Sequence, residues 1–218
     1  MAQLFRPGAD TIARVVLFAL AIAPFAGVAL AYGLRVSPYS TEQNLVVDQP
    51  VPFSHKHHVG DLGIDCRYCH TSVEKAAFAS LPPSSTCMTC HSQIWTNAAL
   101  LAPVRDSFAH HTPIRWNKVH RVADYVYFDH SIHVAKGVPC STCHGPVHEM
   151  PLMRQTKPMT MQWCLDCHRN PGPNLAPRDK EFDPSWTPAQ DPLHDARAYI
   201  ARYHIHPAHL TDCTVCHR

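Results

Sequence analysis

Five copies of one pattern, Cys-x-x-Cys-His, account for every cysteine in this 218-residue chain. The pairs are Cys66 and Cys69, Cys87 and Cys90, Cys140 and Cys143, Cys164 and Cys167, and Cys213 and Cys216. Each is followed at once by a histidine: His70, His91, His144, His168 and His217. Any fold of the chain must therefore present the same Cys/Cys/His triplet in five places. That constrains it more than its apolar content does. Pro is abundant at 20, Gly scarce at 8, and long apolar stretches are nearly absent after residue 35. Hydrocarbon burial alone would struggle to hold such a chain. The excess of Cys (10) and His (18) points to groups that thiols and imidazoles hold.

The spacing has a chemical reason. Two thiols one helical turn apart can add to the two vinyl groups of one haem, and the next residue can reach the iron as proximal ligand. Disulfides would explain an even cysteine count but not the trailing histidine, and such short loops would be strained. Zinc ribbons use two Cys-x-x-Cys halves per metal, so five halves leave an orphan. The reading is five covalently bound c-type haems, with the ten cysteines as attachment points and the five motif histidines as iron ligands.

An internal repeat supplies ligands for the opposite faces. "FSHKHHV" (Phe53–Val59) aligns with "FDHSIHV" (Phe128–Val134), and each precedes two haem motifs, so the chain contains a duplicated two-haem module with a fifth motif appended. His55 and His58, and likewise His130 and His133, are i, i+3 pairs on one face of a helical turn. They are candidate distal ligands to two different haems per pair. His57 aligns with Ile132 and reads as a bystander. For the remaining iron the candidates are His120 in "WNKVHR", which could serve the second haem, His148, His204, His206 and His209, of which His120 and His209 are preferred. His209 lies just before the fifth motif. Met150, Met153, Met159 and Met161 are alternatives, more often packing residues than ligands.

Val15–Leu34 is an uncharged run of 20 residues, long enough as a helix to span ~30 Å of hydrocarbon. Arg6 and Arg14 precede it and favour an inside N-terminus. The segment reads as an uncleaved anchor, with a signal peptide cleaved near Ala31 as the alternative. Either way the Cys-rich body is exported, to the periplasmic side of a bacterial cytoplasmic membrane. No cysteine precedes Cys66, so lipid attachment there is excluded. Of the 19 Lys+Arg, Arg6, Arg14 and Arg35 lie before residue 36, and of the 17 Asp+Glu only Asp10 does. The body thus balances 16 against 16, and nucleic-acid binding has no electrostatic support.

The expected fold class is mainly α and irregular, a multihaem cytochrome c domain wrapped around five covalent haems, with one N-terminal transmembrane helix. The boundaries read as 1–35 anchor, 36–52 linker, 53–122 first two-haem module, 123–175 second, and 176–218 a Pro-rich segment with the fifth haem. "HSQIWTNAALLAP" has helical periodicity. "ADYVYF" at Ala123–Phe128 is a short β-like run. "RNPGPNLAPRDKEFDPSWTPAQDP" reads as irregular chain wrapping a surface or partner.

"WNKVHRVADYVYFDHSIHVAKGVPCSTCHGPVHEMPLM" and "MQWCLDCHRNP", behind one membrane helix, resemble the pentahaem cytochrome c subunit of alternative complex III, a bacterial quinol:electron-acceptor oxidoreductase. The resemblance covers essentially the whole chain. The Phe-x-His-x-x-His pattern is also similar, more broadly, to the cytochrome c7/c3 group. The complex III resemblance implies a non-catalytic haem relay docked on iron–sulfur and integral membrane subunits, passing electrons to a cytochrome c or an oxidase. The alternative is a stand-alone anchored quinol dehydrogenase of the NapC type. Those cytochromes often carry a Met shortly after the first motif, which "CHTSVEK" lacks. A multihaem nitrite reductase usually replaces a motif histidine with lysine, and all five histidines stand here. A zinc scaffold is the alternative without redox chemistry.

Overall fold

The computed structural model describes Arg6, residues 8–191 and residues 195–217. The chain divides into two compact units, Met1–Glu42 and Gln43–Arg218. The first is built on helix α1 (Ala9–Val36), 28 residues long, of mean hydropathy 2.3 in its most apolar window and with no buried residue. At 1.5 Å per residue it is ~42 Å long, more than one hydrocarbon thickness. It has the length and composition to cross a membrane. Arg14 pairs with Asp10 at 2.9 Å in its first turn. Pro24 sits inside it, a residue that membrane-spanning helices accommodate. Ser37 ends it by donating from N and Oγ to the Leu34 carbonyl, Oγ at 2.7 Å, and Pro38 opens α2 (Pro38–Thr41).

The second unit is short helices joined by irregular chain. In order these are α3 (Cys66–Cys69), α4 (Ser84–His91), α5 (Ala102–Ala109), α6 (His130–Ala135), α7 (Cys140–His144), α8 (Met161–Arg169), α9 (Ala196–Arg202) and α10 (Cys213–Cys216). A π-helical turn covers Lys56–Asp61. Among the described residues there is no β-strand, only the isolated bridges Val46–Arg154 and Val126–His217. The chain is helical and irregular, as its composition predicts.

Every Cys-x-x-Cys pair lies on one of these helices, and for α3, α4, α7 and α8 the residue before the helix accounts for its start. Asp65 caps α3 by accepting from the Arg67 amide at 2.8 Å, and Thr160 caps α8 by accepting from Trp163, each satisfying an amide left over at a helix start. Pro83 and Pro139, both extended, precede α4 and α7. Helices this short are not stable by propensity alone.

Apolar packing is confined to small clusters. Val51, Leu101 and Val104 form one, with Met88 and Trp116 against it. Leu175, Tyr203 and Ile205 form the other, where the Tyr203 hydroxyl donates to the Ala176 carbonyl at 2.6 Å. Large side chains such as Phe78, Trp95, Tyr125 and Met161 stay more than half exposed. For a unit of this size that is a thin hydrocarbon core.

Local structure departs from the expected pattern in two stretches. "HSQIWTNAALLAP" is not one helix. Trp95 takes a left-handed φ of 55°, which a bulky side chain disfavours and a helix cannot contain. Helix resumes only at a 3₁₀ turn, Ala99–Leu101, leading into α5 with Pro103 in its first turn. "ADYVYF" forms a bridge and not a strand, because what it meets is the end of α10: the Tyr127 amide donates to the Cys216 carbonyl at 2.9 Å. The Pro-rich stretch after α8 is irregular with 3₁₀ turns at Gly172–Asn174, Arg178–Lys180 and Pro188–Gln190, since proline lacks the amide that a longer helix needs.

Candidate haem sites

The duplicated Phe-x-His-x-x-His segment folds the same way twice. Phe53 meets His55 edge-on at 4.9 Å between ring centroids and stacks on His58 at 4.4 Å. Phe128 meets His130 edge-on at 4.8 Å and stacks on His133 at 4.5 Å. In both copies the second imidazole donates Nδ1–H back to a carbonyl four residues earlier, His58 to Ser54 at 2.8 Å and His133 to Asp129 at 2.7 Å. His57, outside the repeat, stacks instead on Trp95 at 5.9 Å.

These imidazoles face motif histidines. His58 lies 6.2 Å from His91, His133 lies 6.1 Å from His168, and His130 lies 6.2 Å from His144 with the two ring planes nearly parallel, all between ring centroids. Two metal–nitrogen bonds of ~2 Å plus the ring radius at each end bring two imidazoles on one iron to a centroid separation of about 6 Å. The spacing suits a shared iron, although packed rings elsewhere in the chain, such as Tyr199 and Tyr203 at 6.2 Å, stand as far apart.

The ring nitrogens are sorted for the same purpose. Besides His58 and His133, Nδ1–H of His70 donates to Ser80 at 2.7 Å, His91 to Ile94 at 3.3 Å, His130 to Ala77 at 2.8 Å, His168 to Leu210 at 2.9 Å and His217 to Tyr125 at 3.1 Å, always to a main-chain carbonyl. A proton fixed on Nδ1 leaves the lone pair on Nε2, where a metal would bind.

His120, expected at the second haem, joins instead the cluster around the third motif. Its Nε2 lies 3.2 Å from Nδ1 of His144, with centroids 4.3 Å apart. Burial, with the nearby charge of His130, pushes His120 down to about 4. Burial and the surrounding His120, His130, His70 and His55 push His144 to about 3, and burial with His70, His58 and His120 pushes His55 to about 4. Each is then a neutral imidazole at pH 7, the form that ligates metal. Nδ1 of His55 and of His148 is buried without a hydrogen-bond partner, and such an orphan costs ~1–3 kcal/mol unless a ligand satisfies it. His209 is placed differently: its side chain is 81% exposed, with Nδ1 3.6 Å from the Asp212 carboxylate. His204 and His206 are exposed as well. Met150 is fully buried and Met161 exposed.

All ten cysteines are free thiols. The hydrogen bond between the Cys66 and Cys140 thiols, then burial, raises Cys140, while burial pushes Cys143 up to about 12. Both shifts disfavour the thiolate at Cys140 and Cys143. Thiols on a helical turn, a neighbouring imidazole with Nε2 available, and an imidazole opposite it fit covalent haem.

Some contacts had no sequence signal. The Tyr68 hydroxyl donates to Thr89 Oγ1 at 2.9 Å, joining the interior residues of the first two motifs. The Glu181–Phe182 segment touches both Cys66 and Cys140, and the Tyr125 ring lies 5.6 Å from His217.

No protein-family model matches the chain. It is similar to "Menaquinone reductase, multiheme cytochrome c subunit" of Nitratidesulfovibrio vulgaris, 30% identical over 167 residues that cover 66% of this chain and 77% of that protein. Together with the thiol and imidazole geometry, this likeness places the chain among the multihaem c-type cytochromes, and it belongs to that family.

Proposed function

We propose that the chain is an electron-transfer subunit carrying five covalent haems, one on each Cys-x-x-Cys-His motif. The single observation that carries this reading is the recurrence of imidazole pairs at 6.1–6.2 Å on three of the motif histidines. In it the ten cysteines make the thioether links, and His70, His91, His144, His168 and His217 are proximal ligands. His58 serves opposite His91 and His133 opposite His168. His130 serves opposite His144 and His55 opposite His70, with His120 the alternative ligand at these two crowded sites. His209 is the candidate for the fifth. Haem supplies reversible one-electron chemistry at iron. The chain supplies position, neutral imidazoles and partial exclusion of water.

The assembly we propose is a quinol-oxidising membrane complex of the alternative complex III type. There α1 anchors the chain, the haem unit lies on the periplasmic side against iron–sulfur and integral membrane subunits, and a cytochrome c or oxidase takes the electrons. The two-haem modules at 53–122 and 123–175, with the fifth haem in 176–218, are the working divisions of the relay. The relative's name, a subunit of a menaquinone reductase, favours a second reading in which electrons run toward a quinone through partner subunits. Both give this chain the same task.

The intact mass of the chain purified from membranes tests the cofactor count: full-length polypeptide plus five haem masses is expected, and fewer would sink the reading. Adding quinol to the purified complex tests direction. Rapid haem reduction supports quinol oxidation. Haems that reduce only from a soluble donor, and reoxidise with quinone, support the second reading.

A further inference from the structure

The geometry points to a single-file arrangement of the five haem sites in the order second, first, third, fourth, fifth, so that electrons enter and leave this chain at the second and fifth motifs. This rests on the five-haem reading and goes beyond it, because the order along the sequence is not the order in space.

Each link stands on its own contact. The second and first motifs are joined inside their Cys-x-x-Cys loops, where the Tyr68 hydroxyl donates to Thr89 Oγ1 at 2.9 Å. The first and third share one wall: Cys66 Sγ lies 3.9 Å from the Phe182 carbonyl, and the Cys140 amide donates to the adjacent Glu181 carbonyl at 3.3 Å. His130, opposite the third-motif His144, also donates both its amide and its Nδ1–H to Ala77 of the first module. The third and fourth motifs are fed by a single helical turn, since His130 and His133 of α6 face His144 and His168. The fourth meets the fifth where His168 Nδ1 donates at 2.9 Å to Leu210, three residues before Cys213.

The two ends differ from the middle. His144, at the third site, is half-buried, with His120 Nε2 3.2 Å from its Nδ1 and His130 on another side. Beside the second-motif His91 stands Trp95, 59% exposed, and beside the fifth-motif His217 stands Tyr125, 66% exposed. Solvent and partners thus reach the chain's ends at aromatic side chains packed against motif histidines.

The test is to locate the irons in the full-length holoprotein or its complex by cryo-electron microscopy, assigning each to its motif through the thioether links. We expect the first-site iron to have the second and third as nearest neighbours, and the fourth to have the third and fifth. Five irons in another order, or a branched cluster, would overturn the inference and leave the five-haem reading intact. Fewer than five irons would remove that reading itself. Dipolar coupling between ferric haems gives an independent readout: disturbing the second site by His58→Met should alter coupling to the first site only. A matching change at the third or fourth site would also overturn the order.

Discussion

His133 and His168 stand 6.1 Å apart between ring centroids with their planes 27° from parallel, although 35 residues of chain separate them. Nδ1–H of each is committed to a main-chain carbonyl, Asp129 for one and Leu210 for the other, so both present Nε2. Replacing His133 by Met should convert one haem from His/His to His/Met ligation and raise its potential. A potentiometric titration should show a single component moving upward, with the rest unchanged. If no component moves, His133 is not a ligand.

Gly137 turns the chain between α6 and α7 at φ +78°, and a Cβ there would overlap the ring of the buried Tyr203. Gly137→Ala combines overpacking with a disfavoured left-handed backbone and should cost about 2–4 kcal/mol. A thermal melt of the holoprotein should fall by several degrees. Tyr203→Phe, which leaves the Ala176 carbonyl without its donor, should cost about 1–3 kcal/mol and so lower the melt less.

Glu181 is 3% exposed and receives Arg178 Nη1 at 3.1 Å. Burial raises its carboxyl above the ordinary 4.5, with Arg178 opposing the rise. A raised folded-state value means that the protonated form is favoured by folding. This contribution is therefore complete below 4.5 and is lost as pH rises through the raised value. Glu181→Gln should flatten that part of the profile. Urea midpoints measured from about pH 4 to 8 should decline with pH for the parent relative to the variant. Parallel profiles would refute this role for Glu181.

Alkaline carbonate washing of membranes should leave the chain in the pellet if α1, whose most apolar window has a mean hydropathy of 2.3, spans the bilayer. Release into the supernatant would mean that the chain is held by its partners alone.

Much of this was legible in the sequence, and the reasons are local. The Cys-x-x-Cys-His spacing specifies a helical turn, and Asp65 or Thr160 before it specifies where the turn starts. The Phe53 and Phe128 repeats predict the ring packing because the whole arrangement lies within six residues. What was not legible depends on distant segments or on conformations that propensity opposes. The left-handed Trp95 interrupts a stretch whose periodicity is helical. The approach of His120 to His144 spans 24 positions of chain that include α6 and α7. The shared contact of Cys66 and Cys140 with Glu181–Phe182 is made by a Pro-rich segment that carries no pattern at all. His209 has the expected place in the sequence, yet its ring points to Asp212 and solvent.

The hydrogen bonds from Nδ1 of seven motif and repeat histidines end on peptide oxygens, not on side chains. Imidazole basicity and orientation are then written in the course of the backbone. Residues such as Ser80, Ile94, Ala77 and Leu210 can drift to other types without withdrawing the acceptor. Two chains that agree at fewer than a third of their positions can therefore keep the same surroundings at these seven imidazoles, and a comparison of side chains would not reveal it.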